Sequence, residues 1–190
     1  PELPKSIECT WEDRFYPKAW GHPLLRETIC NYYNKYYHSN IEPENVMIFA
    51  GGRPGIFAVL MFLKKFVQIR ISNIEWPAYL DIMTQTNIDW QIVPCSKENN
   101  FKPSISDYYD RSNLNAQKKI MPIISNPSNP TGNTRHSDEL KELIKISEQE
   151  DNGILLDEAY EMFHCPSVSG IQYVKDLNNS NVFISGACTK

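Results

Sequence analysis

Short apolar runs alternate with longer segments of helical periodicity along this chain of 190 residues. The apolar runs are residues 46–50, 67–71, 90–93, 121–124, 154–156 and 182–184, and the helical segments are residues 23–37, 54–66, 77–86 and 137–149. The residue types of the runs suit strands of a parallel sheet, and strand–helix alternation is typical of βαβ units. The sequence therefore predicts an α/β fold, a three-layer α/β/α sandwich around a mostly parallel central sheet.

The bulk composition excludes several classes of protein. A formal net charge of -4 provides no basic field for a phosphate backbone, so we expect no nucleic-acid partner. The five cysteines are odd in number and scattered, which predicts reduced thiols, no metal site and a reducing, cytoplasmic location. We find no apolar run long enough to span a bilayer, and we expect no membrane partner. The start of the chain has neither a methionine nor a signal-peptide pattern, so we expect an excerpt of a longer chain.

Asp157 is the residue that most suggests a functional site. It follows the apolar run 154–156 directly, which predicts that it lies at the exit of that strand. Ligands of open α/β sheets bind outside the carboxyl ends of the strands, where a carboxylate suits a site better than a core. Two alternatives are strand-end capping and a metal-binding carboxylate of the Walker B type. The second lacks its partner, because the chain has no Gly-Lys-Ser/Thr phosphate loop.

Two further features precede Asp157 in the chain. Gly51, Gly52 and Arg53 stand between a predicted strand and a predicted helix, where glycines and a helix N-terminus can bind a single phosphate. The alternative for the glycines is a tight turn without a ligand. Trp76 follows another predicted strand, and its indole can stack on a flat ring or simply pack as a core or rim residue.

The segment 126–132 is the most specific motif of the chain. Its sequence is Asn-Pro-Ser-Asn-Pro-Thr-Gly, and two Asn-Pro pairs followed by Thr-Gly predict a rigid, extended turn that aims the side chain of Asn129. The alternative is a proline-rich loop without a function.

Together, these motifs resemble in order and spacing the active site of the fold-type I aminotransferases of class I/II, the aspartate aminotransferase-like superfamily, which use pyridoxal 5'-phosphate (PLP). The resemblance implies that Asp157 keeps the pyridine nitrogen of PLP protonated. It also implies that Asn129 and Tyr160 hydrogen-bond the phenolic oxygen. Residues 183–190 resemble the strand and Ser/Thr-Lys segment of the family, so Lys190 would form the Schiff base with PLP. On position alone, a terminal lysine is an ordinary solvated residue.

Two positions depart from the family's phosphate site. Many relatives carry a serine where this chain has Ala187, although Thr189 retains a hydroxyl immediately before the Schiff-base lysine. Arg53 stands where relatives often carry a small polar residue. Its guanidinium could reach the phosphate or point outward, and the sequence does not distinguish these arrangements.

The start of the chain also resembles the family. Residues 15–26 match its tyrosine-containing loop, glycine and Leu-Arg helix, with Tyr16 five residues before Gly21. In the family this tyrosine reaches the cofactor phosphate of the partner subunit, so the resemblance implies a homodimer. The alternative is a packed loop tyrosine.

The resemblance extends over almost all of the chain. It implies that residues 1–190 are part of the large, PLP-binding domain, and that the small C-terminal domain and the N-terminal arm are absent from this chain. We expect the full protein to transfer an amino group between an amino acid and a 2-keto acid, and we expect the fragment alone to be inactive. The donor and acceptor stay open. So do a PLP-dependent lyase, decarboxylase or cyclase on the same scaffold, and a non-catalytic homologue acting as a binding module.

Overall fold

The computed structural model describes residues 6–112, 114 and 117–188. Its strands are β1 (Val67–Ser72), β2 (Trp90–Val93), β3 (Lys119–Ser125), β4 (Ile154–Asp157) and β5 (Val182–Ser185). Its α-helices are α1 (Pro23–Tyr37), α2 (Gly52–Leu63), α3 (Ala78–Thr86), α4 (Ile105–Tyr108) and α5 (Ser137–Ser147). Short 3-10 helices lie at Glu12–Arg14, Pro43–Asn45, Lys97–Asn99, Glu161–Phe163, Gly170–Tyr173 and Leu177–Asn179.

The strands form a single parallel sheet in the order β2-β1-β3-β4-β5. At one edge of the sheet, Ser125 of β3 pairs with Asp157 of β4, and Asp157 pairs with Ser185 of β5. The carboxyl ends of these three neighbouring strands therefore lie side by side. The parallel sheet confirms the predicted α/β class.

Both faces of the sheet are buried under helices. One core cluster joins α2 and α3 to one face, with Leu60, Ile82 and Ile123 among its members. The second joins α4 and α5 to the opposite face and includes Leu143 and Ile124. Ile123 and Ile124 are consecutive in β3 and point to opposite faces, as the pleat of a strand requires. The arrangement is the predicted three-layer sandwich.

The predicted strand at residues 46–50 is wrong. The segment is an extended loop whose backbone joins the rest of the chain by a 3.0 Å hydrogen bond from the Ile48 N–H to the Trp20 carbonyl. Its apolar side chains are not covered by a sheet, since Met47 is 56% and Phe49 37% exposed. The composition of an apolar run does not show whether another strand is available to pair with it. Among the described residues, no strand pairs with this segment, so it stays a loop.

Ser137 is a typical N-cap residue, but it does not cap α5. The helix has His136 as its N-cap and Ser137 as its first residue, and the Ser137 hydroxyl contacts the His136 ring at 3.2 Å instead of capping the helix. The apolar stripe of α5 is buried as the periodicity predicts. Helix α1 has the predicted bounds, residues 23–37.

Candidate functional site

Asp157 is the centre of the candidate site. It ends β4 between Ser125 and Ser185, and only 8% of its surface is exposed. Its Oδ2 atom accepts a 2.7 Å hydrogen bond from the Tyr79 hydroxyl, and its Oδ1 atom accepts a 3.2 Å bond from the Ala159 N–H. The carboxylate is thus held from the helical layer by Tyr79 and from the backbone after β4 by Ala159.

Tyr79 holds this carboxylate from the helical layer. It lies in the first turn of α3 and is fully buried. Burial, together with the charge of Asp157, raises the pKa of the Tyr79 phenol well above its usual value, so the hydroxyl stays a donor. Sequence reasoning missed this residue. Its periodicity with Ile82 and Met83 predicts a buried helix face, but not the partner of a carboxylate that lies far along the chain.

The loop after β3 brings Asn129 towards the same edge. The base of the loop is fixed because the Asn126 side chain exchanges two hydrogen bonds with the Arg135 backbone, at 2.7 and 3.0 Å. The Asn129 N–H donates to the Ser125 hydroxyl at 3.0 Å. The first pair of bonds therefore closes the loop at its base, and the second attaches Asn129 to the end of β3.

Asn129 and Tyr160 line one cavity of about 390 Å³. Its other lining residues are Pro127, Ser128, Pro130, Gly132, Thr134 and Phe163. Tyr160 follows β4 by three residues, and its ring packs edge-on against Phe163 with centroids 5.5 Å apart. A cavity of this size is within the range of small-molecule sites. The structure thus brings together the amide and the phenol that the sequence predicts as a pair.

The N-terminus of α2 approaches this edge beside β5. Gly51, its N-cap, has a φ of 108°, which favours glycine over other residues. A Cβ atom on Gly52 would lie 3.5 Å from the Ser185 hydroxyl, so the first turn of α2 lies next to the end of β5. The first N–H groups of a helix have no partner within the helix and attract anions.

Trp76 and Arg53 lie together beside this edge. The guanidinium carbon of Arg53 is 5.1 Å from the centre of the Trp76 ring, a cation–π contact. The indole in turn packs edge-on against Tyr79, with centroids 5.3 Å apart. Arg53 therefore lies over the indole, although its side chain remains exposed to solvent.

Three glutamates near the site were also missed. Glu75 accepts a 2.5 Å hydrogen bond from the Ser125 hydroxyl, and burial raises its pKa to about 8. Glu158 is fully buried and accepts a bond from the Gly170 N–H at 2.7 Å, and burial likewise raises its pKa to about 8. For Glu75, a signal was available, because it is a carboxylate at the exit of a strand and directly precedes Trp76.

Glu161 joins the site loop to α1. Its carboxylate accepts hydrogen bonds from the hydroxyls of Tyr32 at 2.7 Å and Tyr33 at 3.3 Å, and burial raises its pKa. Because Glu161 directly follows Tyr160, these bonds fix the segment on which Tyr160 lies.

Of the remaining predicted site residues, one is described by the structure and two are not. Tyr16 is fully exposed and does not lie with the other site residues in this chain. Thr189 and Lys190 lie outside the described residues. Within the described part of the chain, no group of three or more His, Cys, Asp and Glu side chains is arranged to hold a metal ion. None of the helices described is long and apolar enough to cross a membrane.

Comparison with known families gives a match over nearly the whole chain. The family described as aminotransferase class I and II matches residues 7–190. An aspartate aminotransferase of Pyrococcus horikoshii is 33% identical over 170 residues, which cover 85% of this chain and 42% of that enzyme. An LL-diaminopimelate aminotransferase of Protochlamydia amoebophila is 27% identical, covering 86% of this chain and 41% of that enzyme. The chain thus spans less than half the length of these relatives.

Solved structures share the fold. An aspartate aminotransferase from Thermus thermophilus with maleate superposes with a TM-score of 0.80 at 18% identity, covering 93% of this chain and 45% of that one. An aminotransferase from Mycobacterium tuberculosis gives a TM-score of 0.74 at 20% identity, covering 93% of this chain and 44% of that one. At these identities the likeness demonstrates the fold alone.

Proposed function

Because the chain belongs to the class I and II aminotransferase family, whose members depend on PLP, we propose that the full-length protein transfers an amino group between an amino acid and a 2-keto acid. The observation that carries this proposal is the position of Asp157 at the end of β4, where the Tyr79 hydroxyl bonds it at 2.7 Å. Residues 1–190 would be part of the large, cofactor-binding domain. We expect them to be inactive without the rest of the protein.

The residues present fit the proposed cofactor. PLP, when bound, supplies a protonated ring that withdraws electrons from the substrate Cα. Asp157, which ends β4 at the carboxyl edge of the sheet, would accept the ring N–H and keep that proton in place. Asn129 and Tyr160, which line one cavity, would donate to the phenolic oxygen. Trp76, which packs against Tyr79, would offer its indole for stacking on the ring.

The N-terminus of α2 would bind the phosphate group. Support comes from the position of Gly52 next to Ser185, since the first backbone N–H groups of α2 then lie near the end of β5. Thr189 would add a hydroxyl. These are the donors that the chain offers in place of the serine that Ala187 replaces.

Lys190 would hold the cofactor covalently through its Nζ atom and carry the proton that leaves the substrate Cα. The support is the sequence of residues 183–190 and the end of β5, which pairs Ser185 with Asp157. The segment that follows β5 therefore begins beside Asp157, the residue proposed to bind the ring nitrogen.

We also propose that the protein is a homodimer in the cytoplasm. Tyr16 is fully exposed, and apolar neighbours in sequence are exposed with it, including Trp11 at 63% and Phe15 at 63%. Exposed apolar surface of this kind marks interaction sites. Light scattering of the full-length protein after size-exclusion chromatography tests the dimer, and a monomer at all concentrations contradicts it. The scattered cysteines support a reducing compartment.

Product analysis of the full-length protein tests the proposed reaction. The purified protein is incubated with PLP and a panel of amino acids that includes aspartate and LL-diaminopimelate, with and without 2-oxoglutarate as acceptor. We expect a keto acid and a new amino acid only when the acceptor is present. Product formation without an acceptor would indicate elimination or decarboxylation. No product with any substrate, while PLP is bound, would favour a binding module. Lys190→Ala should abolish the reaction, and Lys141→Ala, an exposed lysine of α5, should not.

A further inference from the structure

Glu75 connects the segment after β1, which carries Trp76, to the loop after β3, which carries Asn129. It lies between β1 and α3, directly before Trp76. Its Oε2 atom is 2.5 Å from the Ser125 hydroxyl at the end of β3. The same hydroxyl accepts the N–H of Asn129 at 3.0 Å. Two consecutive hydrogen bonds therefore run from the Glu75 carboxyl group to the backbone of Asn129.

The surroundings of Glu75 favour a hydrogen bond over an ion pair. The anionic group facing it is Asp157, and the phenols of Tyr79 and Tyr108 lie near it. The cations on its side are Arg135 and Lys102, and both form ion pairs with Glu139. Burial raises the pKa of Glu75 to about 8, so the group is mostly protonated at neutral pH. A neutral carboxyl group can still bond to Ser125.

The relay consists of the two bonds Glu75–Ser125 and Ser125–Asn129. Other bonds within the loop hold the N–H groups of Ser128 and Gly132, at 2.8 Å each, and the relay adds a restraint on the Asn129 N–H. Asn126 fixes the base of the loop through the Arg135 backbone, but Asn129 lies three residues further along. The bond from its N–H to Ser125 ties this part of the loop to the sheet, and Ser125 pairs with Asp157 in the neighbouring strand. A fixed Ser125 hydroxyl therefore fixes Asn129 relative to Asp157.

We propose that Glu75 is a positioning residue of the site: through its hydrogen bond with Ser125, it holds the backbone of Asn129 at the carboxyl edge of the sheet beside Asp157. This inference rests on the proposed function for the role of Asn129. The relay itself is a property of the folded chain and does not require the cofactor.

Hydrogen–deuterium exchange of the full-length apoprotein, read by mass spectrometry on a peptide spanning residues 125–134, tests the relay. Pro127 and Pro130 carry no N–H, so few amides contribute to the signal. Glu75→Ala and Ser125→Ala should each accelerate exchange in this peptide by roughly five- to tenfold, the effect of losing one hydrogen bond. Glu75→Gln should exchange as the wild type does, because its amide can still bond to Ser125.

The control removes a similar bond elsewhere. Glu98 accepts a bond from the Ser96 hydroxyl on the surface, and Glu98→Ala should leave exchange in residues 125–134 unchanged. Ser125→Ala is a small change that tests the relay even if Glu75→Ala fails to fold. The proposal is overturned if Ser125→Ala leaves exchange within about twofold of the wild type, or if Glu75→Gln accelerates it as much as Glu75→Ala does.

A second readout connects the relay to the cofactor. In the full-length protein, Glu75→Ala should weaken PLP binding by roughly five- to tenfold in a spectrophotometric titration, and Glu75→Gln should restore it. Unchanged affinity in Glu75→Ala would overturn the positioning role. If the wild-type protein does not bind PLP at all, the proposed function fails, whereas the exchange experiment still tests the tether between Glu75 and Asn129.

Discussion

The Tyr79 hydroxyl donates a 2.7 Å hydrogen bond to Oδ2 of Asp157, across 78 positions of sequence. Tyr79 lies in the helix after β1, and Asp157 ends β4. The bond therefore joins the helical layer to the carboxyl edge of the sheet. The buried carboxylate thus accepts a hydrogen bond from a donor that carries no charge of its own.

We expect Tyr79→Phe to lower the free energy of unfolding by about 2 kcal/mol, because a buried carboxylate loses a donor. PLP affinity should fall by roughly tenfold, since Asp157 would no longer be held in place. Chemical denaturation and PLP titration of the full-length protein measure these effects. Tyr109→Phe is the matched control: that hydroxyl also bonds inside the fold, to Ser147 and Gly153, but away from the site. It should lose stability and keep PLP affinity, and equal loss of affinity in both variants would contradict a role for Tyr79.

Asp157→Asn should reduce aminotransferase activity by about 100-fold or more, because the amide cannot keep the ring nitrogen protonated. The protein should still fold, since the Asn carbonyl can accept the bond from Tyr79. Steady-state kinetics and a denaturation curve measure the two effects separately. Asp151→Asn, at an exposed position before β4, should behave as the wild type does. Activity near the wild-type level in Asp157→Asn would rule out its proposed role.

Stability should fall with rising pH because of Glu158. Burial raises its pKa in the folded protein to about 8, above the ordinary value of 4.5, so the folded state holds this proton more tightly than the unfolded state. The stabilisation is complete below the unfolded pKa and is lost as the pH rises towards about 8. Glu75 contributes in the same direction. Denaturant midpoints between about pH 5 and pH 8 should therefore decrease.

Glu158→Gln should flatten this pH dependence, because the amide can replace the protonated acid in its bonds to Ser169 and Gly170. Glu98→Gln is the control, since Glu98 is exposed and the bonds from Ser96 and its own backbone lower its pKa. The effect of Glu98→Gln on the denaturant midpoint should therefore be confined to acidic pH. A slope in Glu158→Gln equal to that of the wild type would show that Glu158 ionises freely in the folded protein.

Two glycines with positive φ should respond differently to alanine. Gly21 has a φ of 110°, and a Cβ atom there would lie 2.4 Å from Cγ1 of Ile48. Gly132 has a φ of 73° with nothing within 4 Å of such an atom. Gly21→Ala should therefore cost about 3 kcal/mol, from backbone strain and overpacking, and Gly132→Ala about 1 kcal/mol from strain alone. Denaturation curves of both variants decide this, and equal costs would contradict the close contact between residue 21 and Ile48.

The sequence predicts features that local composition determines. An apolar run that ends in a polar residue predicts the strand exit at Asp157, and Pro23 with the helical periodicity after it predicts both ends of α1. The run at 46–50 failed because local composition does not reveal whether a neighbouring strand is available. The position of Glu75 after a strand was a usable signal for a site residue, but its bond with Ser125 joins residues 50 positions apart, and only the packed fold reveals that partner.

Borohydride reduction of the full-length protein with PLP, followed by peptide mapping, tests the central claim most directly. The account predicts an absorption band that disappears on reduction and a stable PLP label on Lys190. The lysines of the described residues, such as Lys102 and Lys118 in their ion pairs, should carry none. No band and no label, or a label distributed over surface lysines, would contradict the assignment of this chain to a working PLP enzyme.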